Sequence, residues 1–186
     1  MCKVNPIKDL NKVRAVRDNM IADNKHRLAF LYVLGNNTGY RVSDLLKVKY
    51  EEIRGKEELT LKEQKTKKNR TVSINPTVKE AFKMIDQGQT GCIFISESNR
   101  NKATQATWSR QYVSQELKHY AALAGIEQNV GTHTMRKTFG YWVYKTTNNL
   151  AKVQKLLNHS NIANTLRYIG IEQEELNDTV MNLNIG

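Results

Sequence analysis

Apolar residues follow two spacings along the chain, and the change from one to the other outlines its architecture. Ala29, Phe30, Val33 and Leu34 recur at i, i+1, i+4, i+5, the interval of one helix face, and the pattern reaches back through Leu28 to Met20. Gly35-Asn36-Asn37-Thr38-Gly39 interrupts it, and a short helix carrying Leu45, Leu46 and Val48 is expected from about Ser43. Beyond Gly55 the period falls to two. Leu59-Thr60-Leu61 and Arg70-Thr71-Val72-Ser73-Ile74 alternate on either side of the basic stretch Lys65-Thr66-Lys67-Lys68-Asn69, which predicts a β-hairpin. Helical spacing resumes at Asn75-Pro76, an N-cap followed by proline at the first helical position, with Val78, Ala81, Phe82 and Ile85 on one face. Cys92-Ile93-Phe94-Ile95 is expected as a third, short buried strand. Three helices follow: Ser109 to Ala124 stopped by Gly125, one capped by Thr132 and carrying Met135, Phe139, Trp142 and Val143, and a shorter one with Val153, Leu156 and Leu157. A final amphipathic helix carries Leu176, Val180 and Leu183. The prediction is a mostly α-helical single domain (1–186) with one small antiparallel β-sheet, an α+β fold without repeats or low-complexity tracts.

Composition narrows the class. Hydrophobic residues make up 39% of the 186 residues, enough for one packed core. No apolar run reaches the roughly 18 to 20 residues of a membrane span, so no membrane partner is expected. Cys2 and Cys92 form no C-x-x-C pair, which fits a reduced, cytoplasmic setting. Lys and Arg number 29 against 18 Asp and Glu, a net charge of +11, which points to a polyanion and first of all to nucleic acid.

Candidate chemistry is defined partly by exclusion. There is no P-loop, the four histidines show no metal-ligand spacing, and the carboxylates do not converge as a two-metal nuclease requires. No cofactor and no metal is expected, so work on phosphates would rely on the chain's own cations. His133 and Arg136 stand three apart near a helix N-terminus, where free N–H groups and the dipole already favour an anion. Arg41 sits at a glycine-marked bend, with Asp44 as a natural ion-pair partner. Lys65, Lys67, Lys68 and Arg70 crowd the hairpin turn, and Tyr168 follows His159 by nine residues. Taken singly, each is equally an ordinary surface or core residue.

Their order and spacing are specific. Thr38-Gly39-Tyr40-Arg41-Val42-Ser43-Asp44-Leu45 resembles the first arginine motif of the tyrosine recombinases (the phage-integrase family), and Gln64-Lys65-Thr66 resembles the hairpin lysine motif. His133-Thr134-Met135-Arg136-Lys137-Thr138-Phe139 is similar to H-x-L-R-H-T/S-F, and the segment from Leu157 to Tyr168 to L-G-H-S-S-I-x-T-T-x-x-Y. The resemblance covers about residues 8–170, with Asn158 in place of the usual glycine. Asn tolerates positive φ best among the other residues, so the turn is expected to survive.

The resemblance implies the tyrosine recombinase catalytic-domain fold and a site-specific recombinase or integrase, from a phage or mobile element, that breaks and rejoins DNA through a 3′-phosphotyrosyl link without metal or ATP. Tyr168 would be the nucleophile, Arg41 and Arg136 the phosphate ligands, Lys65 the general acid, His133 the base or proton shuttle and His159 a donor to the phosphate. Asp44 would orient Arg41, while Lys67, Lys68 and Arg70 would contact the DNA backbone. Double-stranded DNA and other protomers in a DNA-bound multimer, a tetramer by analogy, are the implied partners, with a monomer in the absence of DNA. The family's N-terminal core-binding domain has no counterpart in this chain, and residues 171–186 resemble the tail that members exchange between protomers. A type IB topoisomerase, or a DNA-binding remnant without catalysis, are the alternatives; the short His159–Tyr168 interval and the complete residue set speak against them.

Overall fold

The computed structural model describes residues 4–96, 105–169 and Met181. Eight α-helices among them are α1 (Leu10–Ala22), α2 (His26–Thr38), α3 (Val42–Leu45), α4 (Pro76–Lys83), α5 (Arg110–Leu123), α6 (Thr134–Thr147), α7 (Leu150–Leu156) and α8 (Ile162–Ile169), with a 3₁₀ turn at Tyr50–Glu52. Strands β1 (Glu58–Lys62) and β2 (Asn69–Ser73) form the antiparallel hairpin, Leu59 opposite Val72 and Leu61 opposite Arg70.

The first helical pattern divides where a single helix was expected. Asn24 takes a left-handed conformation (φ 57°), and the amides of Asn24 and Lys25 donate back to the carbonyls of Ile21 and Met20. This double closure ends α1 and leaves three residues before α2 begins. Conversely, α2 runs through the Gly35–Thr38 segment expected to break it. Gly35 is there for contact: a Cβ on it would lie 2.7 Å from the Sδ of Met135, so its bareness lets α2 and α6 approach. The helix stops at Gly39 (φ 63°), whose amide donates to the Gly35 carbonyl. Gly39 is constrained twice, because an added Cβ would also meet Phe139 Cδ1 at 2.4 Å. Gly39→Ala should therefore lower the unfolding free energy by about 3 kcal/mol in denaturant titrations, combining the left-handed penalty with overpacking.

The α4 start is as expected: Asn75 Oδ1 accepts from the Val78 amide and Pro76 opens the helix. Cys92 and Ile95 form only isolated bridges, to Lys49 and Thr107, in place of a third strand. The α6 N-cap is His133, not Thr132; Thr134 Oγ1 instead accepts from the Gly131 amide. The predicted final helix lies outside the described residues apart from Met181.

α2 lies at the centre, packed on α1, α3, α4 and α6. Its Phe30, Leu31 and Leu34 are fully buried in a large cluster that also takes in Leu45, Leu59, Phe94, Val113 and Met135. A second, smaller cluster joins Phe139 of α6, Val153 and Leu157 at α7, and Ile169 of α8. α6 belongs to both, through Met135 and Phe139. No described helix is long and apolar enough to cross a membrane.

Candidate active site

The site forms where α2, the hairpin, α6 and α8 meet. Arg41 is the N-cap of α3, and its Nη1 donates to Glu63 Oε1 at 2.8 Å. Arg136, in the first turn of α6, has 1% of its side chain exposed. Its Nη1 donates to the Gly39 carbonyl at 2.7 Å and reaches Glu63 Oε1 at 3.5 Å, while its Nη2 donates to the Leu157 carbonyl. One guanidinium thus ties the end of α2, the hairpin and the turn before His159 together.

Tyr168, on α8, points back into this cluster. Its hydroxyl lies 3.1 Å from His133 Nδ1, its ring meets His159 edge-on at 5.0 Å, and Arg136 and Lys137 stand 5.9 and 5.4 Å from its ring centre. Burial pushes the phenol pKa up, against the lowering effect of the Arg136 and Arg41 charges. Tyr168 therefore stays protonated at neutral pH and needs a base. His133 is suited to accept that proton: packing around its ring, reinforced by the charges of Arg136, Arg41, Lys137 and Lys65, holds its pKa below the usual histidine range, so it is neutral. His159 Nδ1 pairs with the buried Thr165 hydroxyl at 3.1 Å. Asn158 adopts φ 50°, so the turn that glycine usually makes is preserved.

Residues 8–175 match the Phage integrase family. The chain belongs to the phage integrase family. Among its relatives, the Probable integrase/recombinase YoeC of Bacillus subtilis (strain 168) is 36% identical over 171 residues, covering 92% of each chain. The XerA recombinase structure superposes with a TM-score of 0.74 at 18% identity, covering 100% of this chain and 67% of that one. XerH bound to palindromic difH in a post-cleavage complex gives 0.71 at 16% identity, covering 97% of this chain and 54% of the other. The fold is that of tyrosine recombinase catalytic domains, and the chain spans about nine-tenths of YoeC but about half of XerH.

Within this integrase domain, Arg41, His133, Arg136, His159 and Tyr168 come together as a single group. Lys65 stands exposed on the hairpin turn, with both neighbours pinned: the Gln64 amide donates to Asp44 Oδ1 at 3.1 Å and Thr66 Oγ1 to Glu63 Oε2 at 2.8 Å. Lys67 and Lys68 are exposed on the same turn.

Two expectations need correction. Asp44 is buried and holds the hairpin backbone; the carboxylate on Arg41 is that of Glu63. Arg70 is buried too, at 8% exposure, so it does not present itself to a DNA backbone. It stacks 4.1 Å from the Tyr40 ring centre and donates to the Thr38 and Gly39 carbonyls, and burial, with the nearby Arg136 charge, lowers its pKa to about 10. Strand parity accounts for this. Arg70 shares the inward register of Val72 and Ile74, and Glu63 continues that of Leu59 and Leu61. The same alternation could have identified Glu63, which the motif comparison passed over.

The histidines also set an acid limit. Burial first, then the charges of Arg136 and Arg41, lowers the His159 pKa from 6.5 to about 4. The unfolded chain binds this proton more readily than the folded one, so stability falls as pH drops from about 6.5 to about 4. The loss should be about 1–2 kcal/mol after discounting for solvent around the half-buried ring. Thermal midpoints measured across this range should fall more steeply in the wild type than in His159→Asn.

Proposed function

We propose that this domain is a site-specific recombinase that breaks and rejoins duplex DNA through a covalent bond to Tyr168. The Tyr168 oxygen attacks the scissile phosphorus, the bond from phosphorus to the 5′ oxygen breaks, and a 3′-phosphotyrosyl link remains. His133 takes the phenol proton and Lys65 gives one to the departing 5′ oxygen, leaving a 5′-hydroxyl. Arg41 and Arg136 neutralise the charge gathering on the non-bridging oxygens of the five-coordinate phosphorus, and His159 adds a hydrogen bond. A 5′-hydroxyl from a second duplex reverses the step, so rejoining needs no external energy source. Partner protomers on paired sites, as a tetramer, supply the second strand.

The observation that carries this reading is the 3.1 Å approach of the Tyr168 hydroxyl to His133 Nδ1 within the same domain, beside the Arg136 guanidinium. The 36% identity to a relative named as a probable integrase/recombinase supports it.

The decisive experiment presents the protein with a library of nicked duplexes of randomised sequence, in which a cleaved strand loses its short 3′ fragment. Protein–DNA adducts are then isolated under denaturing conditions and sequenced. An adduct on an enriched sequence is expected; none at any pH from 6 to 9 would sink the proposal. Two labelled duplexes bearing the recovered sequence should exchange strands, whereas plasmid relaxation without exchange would favour a topoisomerase. Lys67 and Lys68 hold the backbone of that DNA. Replacing both with Ala should reduce the slope of log affinity against log salt by about 2 and leave sequence preference unchanged.

A further inference from the structure

Glu63 is the carboxylate around which the site is assembled, and none of the motif matches includes it. It is 0% exposed. Its two oxygens have separate partners. Oε1 faces three guanidiniums, Arg41 at 2.8 Å, Arg136 at 3.5 Å and Arg70 at 3.7 Å. Oε2 accepts from the Thr66 hydroxyl and from Asn158 Nδ2, both at 2.8 Å. The partners come from five segments: the start of α3, the hairpin turn, β2, α6 and the turn before His159.

We propose that Glu63 is a positioning residue: an internal counter-ion that holds Arg41 and Arg136 at one oxygen in the DNA-free protein and locks the Lys65 turn and the His159 turn to the other. This rests on the reaction proposed above.

Charge counting supports it. Three guanidiniums gathered in the interior would repel one another without an anion, and a carboxylate with no water would be costly without donors. Three positive charges against one negative leave an excess of two, which equals the charge of the five-coordinate phosphorus that the site would stabilise. Burial works to raise the Glu63 pKa, but the hydrogen bonds from Asn158 and Thr66, with the charges of Arg41 and Arg136, outweigh it and keep the group ionised. Asn158 adds a link that a glycine could not make. It stands where the family usually has glycine, and its amide, which glycine lacks, is one of the two donors to Oε2.

The test compares Glu63→Gln and Glu63→Asp with the wild type in two assays. The first follows the thermal midpoint as inorganic phosphate is added without DNA. Glu63→Gln lacks the internal anion, so phosphate should take its place and reach half-maximal stabilisation at a concentration about tenfold lower than in the wild type. Glu63→Asp keeps the charge and should respond like the wild type. The second assay measures adduct formation at saturating DNA on the nicked site. Expected losses are about 100-fold for Gln and about tenfold for Asp, which withdraws the carboxylate from its partners, with DNA affinity unchanged or tighter.

A Glu63→Gln protein with wild-type phosphate response, or adduct rates within threefold of wild type for both variants, would overturn the proposal. If Glu63→Gln is unfolded in dilute buffer, recovery of its fold by phosphate supports the counter-ion role and failure to recover overturns it. A wild-type protein that forms no adduct refutes the reaction, while the phosphate assay still decides what Glu63 does.

Discussion

Tyr168→Phe should form no covalent protein–DNA adduct, a loss of at least about four orders of magnitude in rate, because the nucleophilic oxygen is gone and no base can replace it. The variant isolates chemistry from folding. A phenylalanine ring keeps the edge contact with His159 and the flanking Arg136 and Lys137. The hydroxyl's interactions with His133 and Arg136 are lost, at a cost of about 1–2 kcal/mol in stability. DNA affinity should therefore stay within a few-fold of wild type in a filter-binding or anisotropy measurement, at the same salt. An adduct surviving in the variant would move the nucleophile to another residue. In the wild type, the acid limb of the rate profile should lie below pH 6.5, since the lowered pKa of His133 leaves it able to accept a proton there.

Arg136→Lys is the second large effect, and it is expected to act on both rate and stability. Lysine keeps the positive charge but cannot span the Gly39 and Leu157 carbonyls, which the guanidinium reaches with its two terminal nitrogens. At least one buried carbonyl loses its Arg136 donor, and the fixed geometry of the guanidinium beside Glu63 is lost although the charge remains. Single-turnover adduct formation should drop by about 10²–10³, the cost of removing one preorganised donor from a developing oxyanion. The unfolding free energy should fall by about 1–3 kcal/mol, the cost of leaving a buried carbonyl without its donor. A drop in rate with unchanged denaturant midpoint would contradict the structural part of this role.

Local signals located much of the architecture. The alternation on either side of Lys65–Asn69 defined the hairpin, and Asn75-Pro76 marked the start of α4 to the residue, because capping and proline geometry act within a few positions. The order and spacing of Arg41, Lys65, His133, Arg136, His159 and Tyr168 point to one candidate site, and the fold gathers all of these but the exposed Lys65 into one group. Features without a local signal depend on neighbours distant in the chain. Gly35 reads as a helix breaker until Met135 is placed against it. Arg70 and Glu63 carry charges, and charged residues in and beside a basic turn are ordinarily solvated. Only the partnership of Arg41, Arg136, Thr66 and Asn158 makes a buried carboxylate affordable at position 63. The end of α1 is hidden for a local reason: Asn24 in a left-handed conformation can do a glycine's work without a glycine's signature.

The division of the interior into two apolar clusters has a dynamic consequence. Helices differ in how much must come apart before their amides reach water, and a segment fixed by few buried side chains opens on its own, well below the free energy of whole-domain unfolding. α2 is embedded in the large cluster, whereas α7 and α8 are attached to α6 through Phe139, Val153, Leu157 and Ile169. Amide hydrogen exchange should accordingly be slow and governed by global unfolding in α2, and faster, through sub-global opening, in α8. The helix that carries Tyr168 is held by the buried Thr165 and Ile169 and by Tyr168 itself, so it should open at a lower free energy than the large cluster that holds α2.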